Sequence, residues 1–309
     1  MLETYISKLV DNIPLSKKNQ REKIDIILDG GLFNGSYLIG ALYFLREMEK
    51  VGHIEVDKLS GCSIGSLACV LYTADLLDLT TEIYNMAIDQ FKKTTHLEVV
   101  DDILSKIRKK LPRDICERMN GRVFITYYDL KKGKKVIKSK YKNKKEIMDV
   151  VKRSCFVPYL IDGSFMHKER YIDGIFPYIL PKEEGKRILY LDLLGYDKIT
   201  HIISVKNEKT NFHRVLSGLL DIHLFYIKEK PTLMCSYVDE WSLVRQTYHF
   251  ILKKLFEIFV FYNIYFYFLI HKYILTREVL EHLNSNSFVQ IVVDFLKKAN
   301  EKFLRYFCM

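Results

Sequence analysis

The spacing of apolar positions changes character several times along the chain, and each change predicts an element. Ile24 to Leu28 is a short apolar run suited to a buried strand, while Leu38, Leu42, Leu45 and Met48 recur at helical spacing up to Lys50. Between them lies a glycine-rich turn, Asp29-Gly30-Gly31-Leu32-Phe33-Asn34-Gly35-Ser36. The plan then repeats: a strand-like Ile54 to Ser60, the turn Gly61-Cys62-Ser63-Ile64-Gly65-Ser66, and a helix-like Leu67 to Leu77. From Leu79 to Lys110 two helical stripes follow, Ile83, Met86, Ala87 and Phe91, then Val99, Ile103, Leu104 and Ile107.

Val123 to Tyr128 alternates and is β-branched and aromatic, Asp129 to Lys135 turns the chain, and Val136 to Tyr141 returns it, which predicts a hairpin. Glu146 to Cys155 carries Ile147, Val150 and Val151 on one helical face and is stopped by Pro158. Strand residues Tyr159 to Ile161 and Phe165-Met166 flank Asp162-Gly163-Ser164, and a second strand, Arg170 to Ile172, runs into Asp173-Gly174. Arg187 to Leu193 and His201 to Val205 are the last runs that fit central strands. After Asn207 the periodicity is helical throughout: Val215 to Ile227, Tyr237 to Ile274 and Val279 to Phe307, with Ser287 to Arg305 plainly amphipathic. The expected fold is α/β, a central and mostly parallel sheet between helices, followed by an α-helical C-terminal region. Three segments result: a leader at 1–23 lying against the domain, the α/β domain at 24–206, and the helical region at 207–309.

The aromatic run from Phe256 to Ile270 falls short of the ~20 apolar residues that a spanning helix needs, and Glu257 and Asn263 interrupt it. Lysines bracket it on both sides. A buried helix, a helix lying in a membrane interface and a true span are the three readings of this stretch.

Composition narrows the class. With 309 residues, 49% of them hydrophobic, the chain buries a full core. Its formal charge of +10 implies attraction to a polyanion, either nucleic acid or an anionic membrane surface. Much of the excess lies in Lys131 to Lys145, which lacks arginine and has only Tyr141 as an aromatic, so specific nucleic-acid reading is not expected. Those lysines read either as a solvated edge that blocks strand pairing or as a contact for anionic head groups. The cysteines at 62, 69, 116, 155, 235 and 308 form no Cys-x-x-Cys pair, and the start of the chain carries no signal-peptide pattern, so a reducing compartment is expected. The nine histidines give no ligand spacing, and neither a metal nor a cofactor is expected.

A serine between glycines at a strand-to-helix junction is carried on a sharp bend that projects its hydroxyl from the end of the sheet. Ser63 is the candidate nucleophile. The helix that follows aims its positive end at the bend, and the amides around Gly30 and Gly31 can converge on the same point, where an acyl oxygen would become an oxyanion. Cys62 is an alternative nucleophile whose place before the serine turns it inward.

The order of these motifs resembles the patatin-like phospholipase family, which carries a glycine-rich oxyanion loop, a Gly-x-Ser-x-Gly elbow and a later Asp-Gly pair, here Tyr171-Ile172-Asp173-Gly174-Ile175. The resemblance runs from Ile24 to about Val205. It implies a patatin-like α/β fold and a Ser63/Asp173 dyad without histidine, with Gly30, Gly31 and Leu32 around the oxyanion and Gly35, Gly61, Gly65 and Gly174 shaping the turns. Asp162-Gly163 is the competing pair, but Asp173 precedes Pro177 and Pro181 as the family's catalytic aspartate does. Two departures stand out: Leu32 replaces a third glycine, and Asn34 replaces a basic residue. The implied activity is that of a serine carboxylic-ester hydrolase, a phospholipase A-type lipid acyl hydrolase with phospholipid or another acyl-ester lipid as substrate. It would be cytoplasmic or peripheral on intracellular membranes, with the aromatic C-terminal helix as an anchor. The alternative is a catalytically weak or inactive patatin-like protein that binds membranes.

Overall fold

A computed structural model describes residues 2–18, 20–193, 205 and 208–273. The chain divides into two compact units, Met1–Glu240 and Trp241–Met309.

The first unit is a seven-stranded sheet between helices. Its centre is β1 (Glu22–Leu28), flanked by β2 (Ile54–Cys62) and β6 (Lys186–Leu191), with β3 (Val123–Asp129) beyond β2. All three pairings among these four strands are parallel. Parallel strands buried on both faces need near-continuous apolar sequence, and Ile24, Ile26, Ile27 and Leu28 are all fully buried. Antiparallel strands close the edges: β4 (Lys134–Lys138) against β3, and β7 (Cys235–Tyr237) against β6. The lysine-rich hairpin strand is therefore an edge strand. Its Lys134 is exposed, whereas Lys135 reaches the carbonyl of Phe176.

One pairing matters for everything downstream. β2 accompanies β3 only from Val123 to Thr126, and the two-residue β5 (Tyr171–Ile172) then pairs antiparallel with Tyr128 and Asp129. The chain leaving β5 is thus delivered to the C-terminal end of β2.

Helix α1 (Leu2–Asp11) lies against α2 (Gly35–Lys50), burying Ile6 and Val10. α3 (Ile64–Thr73) is almost wholly buried. α4 (Thr80–Thr94) and α5 (Val100–Lys110) present the two expected stripes, with Ile83, Phe91, Ile103, Leu104 and Ile107 inside. After the short α6 (Ile115–Met119), α7 (Lys144–Ser154) is capped by the Asn143 side chain, which accepts from the amide of Glu146 at 2.9 Å. α8 (Phe212–Lys228) packs closely on α2, and its Gly218 allows this: a Cβ there would come within 1.9 Å of the Tyr37 carbonyl oxygen.

Three expectations are corrected. Tyr159 to Ile161 is a turn, not a strand, because its backbone bonds go to Ser164 and to the amide of Leu97 instead of to a sheet edge. Phe165-Met166 forms no strand either. Tyr237 closes strand β7 instead of opening a helix, since the free edge of β6 supplies a partner. The expected strand at 201–204 and the expected helix from Val279 to Phe307, including Ser287 to Arg305, lie outside the described residues.

In the second unit α9 (Leu243–Tyr273) runs for 31 residues. Trp241 stacks on His249 at 4.6 Å between ring centroids. Val244, Tyr248, Phe250 and Leu255 are exposed, and within the aromatic run so are Ile258, Tyr262 and Tyr265, which departs from the buried-helix reading at those three positions. No helix among the described residues is long and apolar enough to cross a membrane.

Candidate active site

The two glycine turns leave the C-terminal ends of adjacent strands, β1 and β2, where sites gather in open parallel sheets. Ser63 sits at the second with φ +50° and ψ −130°, a strained conformation for a residue with a side chain. The glycines around it permit the close approach. A Cβ on Gly65 would fall 2.5 Å from the carbonyl oxygen of Leu28, and one on Gly61 would fall 2.5 Å from that of Gly65.

Several groups hold the bend. The Ser63 amide donates to Ser154 Oγ at 2.9 Å, and Ser154 Oγ donates to the Thr126 carbonyl at 2.7 Å. The Ser63 carbonyl accepts from Ser66 Oγ at 2.6 Å, the Ser66 amide at 2.9 Å and Cys155 Sγ at 3.1 Å. Burial pushes the Cys155 thiol up to about 12, so it stays protonated as a donor. Cys62 is indeed turned inward: it is fully buried, its Sγ meets the Ile175 carbonyl at 3.5 Å, and burial raises its pKa further.

Asp173 arrives from β5. Its amide donates to the Phe156 carbonyl at 2.9 Å, and the next residue must be glycine, because a Cβ on Gly174 would lie 2.2 Å from the Thr126 carbonyl oxygen. The carboxyl Oδ1 accepts from the Ile175 amide at 2.7 Å, and Ile175 adopts φ +59° to make that turn. Oδ2 is buried with no hydrogen bond among the described residues. Burial pushes the Asp173 carboxyl up to about 6, opposed by the nearby Ser63 hydroxyl, the Ile175 amide and the charge of Lys135. The hydroxyl and carboxyl are thus neighbours without a fully formed hydrogen bond between them. Asp162, the competing aspartate, is exposed in a turn and accepts from the Ser164 amide at 2.9 Å.

The glycine loop lies against the bend, since a Cβ on Gly30 would be 3.1 Å from that of Ser63. The Gly30 amide is already engaged, donating to Asp29 Oδ1 at 2.9 Å. Burial and the charge of Asp192 raise the Asp29 carboxyl well above the ordinary range. The amides of Gly31 and Leu32 make no hydrogen bond among the described residues. Leu32 has φ +46°, the left-handed conformation that its side chain disfavours. Gly35 then starts α2, where a Cβ would press into Ile64 at 2.2 Å.

Ser63 and Leu32 open onto a cavity of about 130 Å³ whose walls are almost entirely apolar. Ile39, Leu67, Leu71, Ile83, Ile103 and Leu104 are among its lining residues, so the stripes of α4 and α5 serve both the core and this space.

Sequence reasoning brought Gly30, Gly31, Leu32, Gly35, Gly61, Ser63, Gly65, Asp173 and Gly174 to one place, and all of them meet here. It gave Ser154 and Cys155 no part in the site, and it read Asn34, which is fully buried, only as a departure from the family pattern. For Ser154 a signal existed: it falls on the apolar face of α7 with Ile147, Val150 and Val151, where a polar residue needs a buried partner.

Residues 26–176 match the family model described as patatin-like phospholipase. The chain is 28% identical over 204 residues to mouse 1-acylglycerol-3-phosphate O-acyltransferase Pnpla3, covering 62% of this chain and 48% of that protein. It is 27% identical over 229 residues to mouse patatin-like phospholipase domain-containing protein 2, covering 69% and 47% respectively. Mouse omega-hydroxyceramide transacylase is 25% identical over 166 residues, covering 50% and 28%. The matches span less than half the length of each of these relatives.

Proposed function

Since residues 26–176 place this chain in the patatin-like phospholipase family, we propose that it is a lipid acyl hydrolase or acyl-transfer enzyme working through Ser63 and Asp173. The observation that carries this reading is the strained Ser63, facing a buried carboxyl of raised pKa at the mouth of an apolar cavity. An acyl chain lying among Leu67, Leu71 and Ile83 would bring its ester carbonyl to the Ser63 hydroxyl.

Asp173 takes the Ser63 proton as Oγ bonds to the ester carbon, and the carbonyl oxygen becomes an oxyanion. Gly31 and Leu32 supply the amides that receive it, with the N-terminus of α3 adding its positive end. The tetrahedral adduct collapses, the ester C–O bond breaks, and the proton held by Asp173 passes to the departing alcohol. Water, deprotonated by Asp173, then attacks the acyl-serine. The C–Oγ bond breaks, a fatty acid leaves, and the proton returns to Ser63. A carboxylate is an effective base here because burial has raised its pKa towards neutrality.

An alcohol acceptor entering in place of water gives acyl transfer, the reaction class in the names of two of the relatives. The substrate is a phospholipid or another acyl-ester lipid, and the surplus positive charge favours a peripheral place on anionic membranes. The test is covalent labelling by a fluorophosphonate together with hydrolysis of a lipid ester, with and without an acceptor lysolipid. Labelling and turnover that persist in Ser63→Ala and Asp173→Asn reject the dyad. Retained liposome binding with no labelling of the wild type selects the inactive, membrane-binding alternative.

A further inference from the structure

Arg214 is the largest fully buried side chain among the described residues. A guanidinium taken out of water must have its donors satisfied by acceptors, so its partners report what it is for. Its Nη2 donates to Glu208 Oε1 at 2.6 Å, and Nε lies 3.1 Å from both oxygens of the same carboxylate. That ion pair faces one way. In the other direction Nη1 donates to Asn34 Oδ1 at 2.6 Å, across 180 positions of sequence. The surroundings are fixed as well: Tyr84 OH bonds the Glu208 carboxylate, Lys92 Nζ donates to the Glu208 carbonyl at 2.5 Å, and the Tyr37 ring lies 5.8 Å from the guanidinium.

The reach is possible because the backbones of α8 and α2 meet directly at Gly40 and Gly218. A Cβ on Gly40 would stand 1.9 Å from the Val215 carbonyl oxygen, the next residue after Arg214. The helix that carries Arg214 lies beyond the stretch matched by the family model.

Asn34 is the hinge end of the glycine loop. Its amide closes the turn on the Gly31 carbonyl at 2.9 Å, and two residues earlier Leu32 is held at φ +46°. A leucine in that conformation is strained and relaxes unless its neighbours hold it. We propose that Arg214 is a positioning residue: by gripping the Asn34 side chain it clamps the loop from Gly31 to Gly35, so that the amides of Gly31 and Leu32 stay directed at the site of the oxyanion. The catalytic part of this proposal rests on the Ser63 reading above; the clamp itself does not.

The test combines hydrogen exchange of peptides covering residues 29–36 with labelling and turnover of a soluble ester. Arg214→Lys loses the planar fork, and Asn34→Ala removes the acceptor while leaving the Arg214–Glu208 pair intact, which guards against simple loss of folding. Asn34→Asp keeps an acceptor in place. The expected result is exchange in 29–36 faster by about tenfold or more in Arg214→Lys and Asn34→Ala, with the rest of the first unit unchanged. In the same variants kcat and the labelling rate fall about ten- to a hundredfold while KM stays within about twofold, because only the transition state uses the oxyanion donors. Asn34→Asp should remain near wild type in both. Loop exchange that does not change, a rise spread evenly over the first unit, or faster loop exchange with undiminished kcat overturns the proposal. A loop that responds in a protein with no Ser63-dependent turnover upholds the clamp and rejects the catalytic reading instead.

Discussion

Ser154 Oγ accepts the amide proton of Ser63 at 2.9 Å, and the Ser154 carbonyl accepts the amide proton of Gly174 at 3.3 Å. One residue at the end of α7 therefore references both the serine bend and the turn that follows Asp173. Ser154→Ala leaves the Ser63 amide and the Thr126 carbonyl without this partner. The expected cost is about 1–3 kcal/mol in denaturant unfolding, with fluorophosphonate labelling of Ser63 slowed beyond what the lost stability explains. Wild-type labelling in a destabilised Ser154→Ala protein would count against Ser154 as the residue that sets the bend.

The rate should follow the ionisation of Asp173. The base must be a carboxylate, and burial places its pKa at about 6, so kcat/KM for a neutral soluble ester should fall as pH drops through that value. The acid limb should disappear with the activity in Asp173→Asn. A profile flat down to about pH 4, where an ordinary carboxylate titrates, would reject Asp173 as the base.

The same shift makes a stability prediction of opposite flavour. A carboxyl whose folded pKa is raised binds its proton more tightly in the native state. Its favourable contribution is complete below the unfolded value, is lost as pH rises between the two pKa values, and is absent above about 6. Asp173→Asn removes the buried charge and should stabilise the protein by up to about 3 kcal/mol at neutral to basic pH, with the gain shrinking on acidification. Urea midpoints across pH measure it, and equal gains at all pH values would contradict the assignment.

Gly174→Ala should be severe. The added methyl would meet a backbone oxygen, not a flexible side chain, at 2.2 Å, and β5 has only two residues with which to adjust. A loss of several kcal/mol, or failure to accumulate folded protein, is expected, whereas Gly163→Ala at an open and exposed turn should cost only about 1 kcal/mol through its φ of +75°. Thermal unfolding of the two variants side by side makes the comparison.

The cavity should set chain-length preference. Ala87 lines it from α4 and is only partly buried, so Ala87→Phe can fill space there without disrupting the sheet. Turnover of a series of esters should shift towards shorter acyl chains, with Ser63 labelling by a small fluorophosphonate retained. An unchanged profile would separate this cavity from the acyl group.

The elements that carry the site were legible because their signals are local. The apolar run of β1, the helical spacing of α2 and the glycine-bracketed Ser63 each depend on residues within one or two turns of chain, and each appears with nearly the boundaries expected of it. Strand β7 escaped because three residues offer no period to read, and only the open edge of β6 makes them a strand. The turn at Tyr159 to Ile161 was misread for the converse reason, an apolar run that finds no edge.

Sequence by itself determined the strands and helices that flank the site, the two strand-to-helix turns and the candidate residues on them. Tertiary structure alone decided which of two aspartates is buried beside Ser63, that the Gly30 amide is spent on Asp29, and that Arg214 grips Asn34. The physical reason is range. Periodicity and turn chemistry act over a few residues, whereas burial, desolvation and the satisfaction of a buried charge depend on groups brought together from far along the chain.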